Sequence, residues 1–246
     1  MVKFIKTRDY DEMSRKAAEL IGAQLAEKPD SVLGLATGST PLGAYGYLAE
    51  EYAKGKLDFS GITSINLDEF KGLAHDNKYS YYQFMYRNLF SKVNIDLSRA
   101  FVPDGGIADA DRACREYDKI IEAAGGIDLQ LLGLGHNGHI GFNEPAEVFL
   151  KKTHCVDLAQ STISANSIFF SSEKEVPSQA YTMGIQSIME AKKILLLVSG
   201  DDKAAIIKKV FFGDITPRVP ASVLQLHQDV TVVGDEAAFS QISCSI

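Results

Sequence analysis

One segment of the sequence has the residue types of a phosphate-binding loop. It contains Thr37, Gly38, Ser39 and Thr40, and Pro41 follows. Gly38 would let the backbone approach a ligand closely, and a helix opened by Pro41 would offer unpaired N–H groups to an anion. The G-K-[ST] ending of a Walker loop is missing, so the pattern predicts a phosphate cradle without a metal ion. An ordinary turn with a Ser/Thr cap is the alternative.

Two adjacent acids, Asp68 and Glu69, end an apolar run. Neighbouring residues on a strand face opposite ways, so only one of the two carboxylates can point into a site unless the chain turns. A carboxylate there can act as a general base. The alternative is a solvated pair that caps a helix.

The glycine-rich segment 133–145 is the densest cluster of reactive side chains. It holds four glycines, His136, Asn137, His139, Asn143 and Glu144. An imidazole can exchange a proton near neutral pH, and Glu144 would orient the ring of His139. We therefore interpret the segment as a metal-free loop for proton transfer.

Three other interpretations of this segment stay open. The spacing G-x-G-x-x-G matches a dinucleotide fingerprint, but that motif needs a following helix, and Gly141 and Pro145 leave no room for one. His136, His139 and Glu144 could suggest zinc, although their spacing matches no familiar zinc site. A structural glycine loop with solvated histidines is the third.

Lys203 follows a leucine-rich run and falls in the first turn of a predicted helix. A cation is unfavourable at that end of the helix dipole, which suggests an anionic partner. A surface lysine is the alternative.

Short apolar runs alternate with helical patterns along the chain. Strands are predicted at residues 2–5, 31–35, 62–66, 128–134, 193–198 and 229–233, and helices around 13–25, after Pro41, and near 79–90, 109–124 and 201–211. This order predicts one α/β domain over residues 1–246, with a mostly parallel sheet and helices on both faces. Ligands bind beyond the carboxyl ends of such strands, where all four motifs lie.

Composition limits the possible classes of function. The chain has 246 residues, 46% of them hydrophobic, and a net charge of −7. That composition excludes a disordered chain, and the acidic balance argues against nucleic-acid binding. Cys114, Cys155 and Cys244 are too widely spaced for a C-x-x-C motif. With no signal peptide or membrane-spanning run, we expect a soluble cytoplasmic protein.

At residues 33–41, 66–70, 133–145 and 221–227 the chain resembles glucosamine-6-phosphate deaminases, also called glucosamine-6-phosphate isomerases. The string GHIGFNEP at 138–145 is highly specific; the related 6-phosphogluconolactonases share the Thr-Gly-Ser/Gly-Thr-Pro loop but not that string. The resemblance covers essentially the whole chain. It implies a Rossmann-like fold and conversion of glucosamine 6-phosphate and water to fructose 6-phosphate and ammonia, with no cofactor or metal.

The resemblance also implies roles for individual residues. Asp68 resembles the base that moves a proton from C2 towards C1, and His139 the acid/base that opens the sugar ring. Asn137 and Glu144 resemble the groups that support His139. The contacts to the substrate's phosphate would come from residues 37–40 and Lys203.

Three features depart from the family's pattern. Long-chain members carry Asp where this chain has Asn137, whereas shorter bacterial members commonly carry Asn. The family typically has a phosphate-binding Arg where this chain has Ile168, which predicts weakened binding. The chain also ends soon after Asp235, which suggests the short, non-allosteric type and a monomer or small homo-oligomer.

Other functions remain possible at this point. A 6-phosphogluconolactonase is the nearest enzyme alternative, and a nicotinamide-dependent dehydrogenase is another. A sugar-phosphate sensor without turnover would bind through residues 37–40, and Ile168 is compatible with it.

Overall fold

The main sheet is parallel throughout, as the sequence predicts. The structure, a computed structural model, describes residues 2–242. Within them the sheet contains β1 (Val2–Thr7), β2 (Val32–Leu35), β3 (Thr63–Asn66), β5 (Ala100–Phe101), β6 (Leu129–Gly133), β9 (Lys193–Val198) and β10 (Val230–Asp235). The strand order is β1-β10-β9-β6-β2-β3-β5. The inner strands are almost entirely buried because both faces of the sheet are covered.

Helices connect and cover these strands. They are α1 (Tyr10–Glu27), α2 (Leu42–Ala53), α3 (Tyr81–Asn88), α4 (Ala110–Ala123), α5 (Gln160–Asn166), α6 (Ile185–Met189) and α7 (Ala204–Phe212). In α1, Met13, Ala17, Ile21 and Leu25 are buried, one turn apart along a single face, as their spacing predicts. Pro41 stands directly before α2. The prediction of an α/β fold with a mostly parallel sheet is confirmed.

A second, smaller sheet is antiparallel and was not predicted. It consists of β4 (Asp68–Phe70), β8 (Gln179–Thr182) and β7 (His154–Asp157), in that order. Leu67 alone joins β3 to β4. Its N–H donates to Leu35 O (3.1 Å), and its carbonyl accepts from Met183 N (2.7 Å). Asp68 therefore lies where the two sheets meet.

The order of the strands creates a crevice at one place. From β2 the chain adds β3 and then β5 on one side, whereas β6, β9 and β10 lie on the other side. The direction of winding thus reverses between β2 and β6, and such a switch point opens a crevice at the carboxyl ends of the strands.

The structure also locates two of the three cysteines and tests for a membrane-spanning helix. Cys114 and Cys155 are free thiols, and Cys244 lies outside the described residues. In the part of the chain that the structure describes, no helix combines the length and apolarity needed to cross a bilayer.

Candidate active site

A pocket of about 380 Å³ occupies the crevice between β2 and β6. Its walls come from the segments that follow β2, β3, β6 and β9, together with α5 and Tyr81. The structure thus brings the four motifs of the sequence to one place. Every predicted site residue lines this pocket except Glu144, which contacts it through His139 and Asn137.

The loop after β2 exposes the hydroxyls and backbone of residues 37–40 to the pocket. Gly38 has a φ of +93°, a conformation that side chains rarely adopt. The Tyr10 hydroxyl holds the loop against α2, since it donates to Ser39 O and accepts from Gly43 N, both at 2.9 Å. The adjoining N-terminus of α2 favours an anion at this end of the pocket.

Lys203 lies across the pocket from β2, at the junction between a 3₁₀ turn and α7. Burial lowers the pKa of its ammonium, although the neighbouring Asp202 counteracts part of this effect. Among the described residues that line the pocket, Lys203 is the one Lys or Arg. A half-buried cation without full hydration favours an anionic ligand.

Asp68 and Glu69 point in opposite directions, as their positions on a strand predict. Asp68 lines the pocket and is only 5% exposed. Burial raises the pKa of its carboxyl to about 7. A base whose pKa lies near neutrality can both accept and return a proton, which suits acid–base catalysis.

Glu69 lies on the far side of β4 and is completely buried. Its carboxylate accepts from the N–H groups of Tyr81 (2.9 Å) and Tyr82 (3.1 Å) in the first turn of α3. Burial nevertheless raises its pKa to about 8, against the effect of these hydrogen bonds. Glu69 therefore caps a helix, the structural role considered for one of the acids, but it is buried rather than solvated.

His139 is held by two neighbours in the glycine-rich loop. Its Nδ1 lies 3.5 Å from Glu144 Oε2, and its backbone N–H donates to Asn137 Oδ1 (3.2 Å). Asn137 Nδ2 in turn donates to Glu144 Oε2 (2.6 Å). The imidazole and the amide thus face one carboxylate oxygen, with Asn137 hydrogen-bonded to it and His139 Nδ1 within ion-pair distance but without a hydrogen bond.

Glu144 remains charged because its neighbours outweigh the effect of burial. Burial alone would raise its pKa, but His139 and the hydrogen bonds from Thr162 Oγ1 (2.5 Å) and Asn137 lower it to about 2. Glu144 Oε1 also accepts from Ala159 N (3.3 Å).

One glycine makes room for the His139 ring, and another lies beside the Asp68 carboxylate. A Cβ at Gly135 would lie 2.4 Å from atoms of the His139 ring, far inside contact distance. A Cβ at Gly141, where φ is +55°, would lie 3.4 Å from Asp68 Oδ2. The Asp68 carboxylate therefore lies beside the backbone two residues after His139. Close approach of the His139 ring, rather than binding of a dinucleotide, explains Gly135, and a positive φ explains Gly141.

The dinucleotide and zinc interpretations of this loop both fail. No helix begins between β6 and β7, so the segment lacks the helix that a dinucleotide fingerprint requires. The imidazoles of His136 and His139 contact different partners, Asp202 and Glu144. Within residues 2–242 no cluster of three or more His, Cys, Asp or Glu side chains could hold a metal ion.

Sequence reasoning missed several residues of the pocket. Tyr81 lines it, is buried, and donates from its hydroxyl to Asn166 Oδ1 (3.1 Å) in α5. Thr162, also in α5, supports Glu144. Neither residue belongs to a recognisable motif. The one sequence signal near Tyr81 was the helical pattern of apolar residues around 79–90.

Ile168 lies at the mouth of the pocket, in a 3₁₀ turn after α5. Its side chain is 72% exposed, although it is a large apolar residue. It cannot donate a hydrogen bond to a ligand, so this wall of the pocket presents no cation.

Comparisons with known proteins agree with this geometry. The chain matches the model of the family described as glucosamine-6-phosphate isomerases/6-phosphogluconolactonase over residues 8–233. It is 55% identical over 232 residues to a glucosamine-6-phosphate deaminase of Lachnoclostridium phytofermentans, covering 94% of this chain and 98% of that protein. It is 53% identical to a glucosamine-6-phosphate deaminase of Thermoanaerobacter sp. strain X514, covering 98% and 95%.

The fold is also similar to that of a solved structure. It superposes with a TM-score of 0.95 on a monomeric glucosamine-6-phosphate deaminase, with 44% sequence identity, covering 97% of this chain and 99% of that one.

Proposed function

The chain belongs to the family of glucosamine-6-phosphate isomerases and 6-phosphogluconolactonases, and from this membership we propose that it is a glucosamine-6-phosphate deaminase. The reaction converts glucosamine 6-phosphate and water to fructose 6-phosphate and ammonia. The observation that carries the proposal is the single pocket that gathers residues 37–40, Lys203, Asp68 and His139. Its volume of about 380 Å³ falls in the range of small-molecule sites.

The phosphate of the substrate binds, in this proposal, between the loop 37–40 and Lys203. Thr37, Gly38, Ser39 and Thr40 offer hydroxyls and backbone N–H groups, and Lys203 offers its ammonium. Fixing the phosphate there orients C1 and C2 of the sugar towards the other motifs. Orientation of this kind can lower a barrier by several kcal/mol.

His139 acts first, as the acid/base that opens the pyranose ring. Opening requires that the ring oxygen gain a proton and that the hydroxyl at C1 lose one, leaving an aldehyde. The negative charge of Glu144 and the amide of Asn137 hold the imidazole for this exchange. Because Asn137 is uncharged, its role is limited to the hydrogen bonds that hold Glu144 and the His139 backbone in place.

Asp68 then moves a proton from C2 to C1. Removal of the C2 proton, while O1 gains a proton, gives an enolamine, and return of the C2 proton to C1 gives a protonated imine at C2. Water adds to that imine and releases ammonia, which leaves the ketone of fructose 6-phosphate. A carboxyl with a pKa of about 7 suits a group that must accept a proton and then return it.

The proposal is tested by measuring ammonia and fructose 6-phosphate formed from glucosamine 6-phosphate. The control is Asp68→Asn, which preserves shape but cannot act as a base. A folded protein that releases no ammonia would refute the deaminase proposal. Hydrolysis of 6-phosphogluconolactone would favour the lactonase, and binding without turnover would favour the sensor.

We also propose that the enzyme works in the cytoplasm without a cofactor or metal. We expect it to be a monomer or small homo-oligomer and not to bind nucleic acid. The similar deaminase structure is of a monomeric enzyme, and the net charge of −7 disfavours phosphate polymers. Sedimentation of the purified chain would test the oligomeric state.

A further inference from the structure

A hydrogen-bonded pair that the proposed mechanism does not use lies beside Lys203, and one of its members, His136, lines the pocket. His136 follows β6, and Asp202 belongs to the 3₁₀ turn after β9. His136 Nε2 lies 2.5 Å from Asp202 Oδ2. A carboxylate can only accept, so Nε2 carries the hydrogen. The pair bridges two of the loops that form the pocket.

The Asp202 carboxylate is in an unfavourable place for an anion site. It is adjacent to Lys203, whose pKa is lowered by burial and only partly restored by Asp202, so it attracts the same ammonium that would bind a phosphate. Left free, it would also repel a phosphate dianion. In the described part of the chain its side-chain partner is the imidazole of His136, not the neighbouring ammonium.

A glycine fixes the direction of this carboxylate. Gly200 has a φ of +99°, and a Cβ there would lie 2.5 Å from Asp202 Oδ1. One oxygen of Asp202 thus packs against Gly200 while the other contacts His136. The backbone of Gly200 is itself held by Asp235, whose oxygens accept its N–H at 3.1 and 3.2 Å.

We propose that His136 is a positioning residue for the phosphate site: it occupies the Asp202 carboxylate and leaves the Lys203 ammonium to the substrate. This inference rests on the proposed function, because it assumes that the ligand is a sugar phosphate. It concerns the strength of phosphate binding and leaves the chemical step to Asp68 and His139.

The test is a double-mutant cycle on the full chain. His136→Ala should raise the KM for glucosamine 6-phosphate and the Kd for inorganic phosphate about twofold to fivefold, with a smaller effect on kcat, because the pair is exposed and partly screened. In an Asp202→Asn background the same change should have almost no effect, since no carboxylate remains to be occupied. His136→Gln keeps a donor and should restore part of the affinity.

Two results would overturn the inference. An equal loss with and without Asp202 would mean that His136 acts directly on the ligand or only on the fold. No loss in His136→Ala would mean that the pair is irrelevant to binding. Glu116→Gln, which breaks an exposed ion pair with Arg112 outside the pocket, is the matched control. Calorimetry with inorganic phosphate needs no turnover, so failure of the deaminase proposal would show separately, as absence of ammonia.

Discussion

Asp68→Asn should make the protein less active and more stable at the same time. Asp68 is almost completely buried, and burial raises the pKa of its carboxyl to about 7. The charged form needed for catalysis is therefore the form that the folded protein disfavours. Asparagine has nearly the same shape but cannot ionise, so it escapes this cost.

The size of the stability effect follows from the pKa difference. Between pH 3.8 and about 7 the folded protein retains a proton that the unfolded chain has lost, so its stability falls as the pH rises through that window. Above pH 7 the full cost is present. Each pH unit between the two pKa values corresponds to about 1.4 kcal/mol, so the destabilisation caused by ionised Asp68 is at most about 4 kcal/mol.

Urea unfolding and ammonia release measure the two effects. At pH 8, Asp68→Asn should unfold at a higher urea concentration than the wild type, and the difference should shrink towards pH 4. Its ammonia production should fall about 10²–10⁴-fold, the usual contribution of a general base. In the wild type, kcat/KM should fall below pH 7 as Asp68 becomes protonated.

Either of two results would refute this reasoning. An unchanged difference in urea midpoint between pH 4 and pH 8 would mean that burial does not raise the pKa of Asp68. Substantial ammonia production by Asp68→Asn would remove the carboxylate from the proposed proton transfer.

Three further predictions concern the pocket. Ile168→Arg should lower the KM for glucosamine 6-phosphate about tenfold by adding a charge-assisted contact at the exposed mouth, and equal KM values would exclude a role in phosphate binding. Gly135→Ala should lower kcat at least about tenfold, because the new Cβ would displace the His139 ring; unchanged kcat would contradict this. Glu144→Gln should lower kcat and reduce the free energy of unfolding by about 1–3 kcal/mol at pH 7, since an amide cannot accept as well from Thr162. Because folding lowers the pKa of Glu144 to about 2, its stabilising contribution should disappear as the pH falls from about 4.5 towards 2. An equal loss of stability at both ends of that range, measured by urea unfolding, would refute this prediction.

The sequence predicted six of the seven strands of the main sheet and missed the two-residue β5, because its inner strands are buried on both faces. Such strands read as unbroken apolar runs, and β9 coincides with the prediction for residues 193–198. The reactive motifs follow those runs directly. Because ligands of parallel sheets bind beyond the carboxyl ends of the strands, this position correctly predicted that the motifs meet in one pocket. The prediction of a helix near 79–90 was slightly long: α3 begins after the cap Ser80 and ends at Asn88.

The second sheet could not be predicted in the same way. β4 has three residues and begins one residue after β3, so no turn separates them. β7 is only partly buried and contains polar residues, which removes the alternation that marks a strand. Contacts between distant segments, such as His136 with Asp202, leave no local pattern at all. That residues 1–246 form one domain stays a prediction, which limited proteolysis would test.

The direct passage from β3 into β4 through Leu67 has a consequence for how distant substitutions affect this enzyme. The general base proposed here is the first residue of the small sheet, whereas the phosphate loop follows the large one. A change in tilt between the two layers would therefore alter the separation of phosphate and base without touching either. Substitutions in β7, none of whose residues lines the pocket, become a route by which evolution could retune turnover without replacing any reacting group.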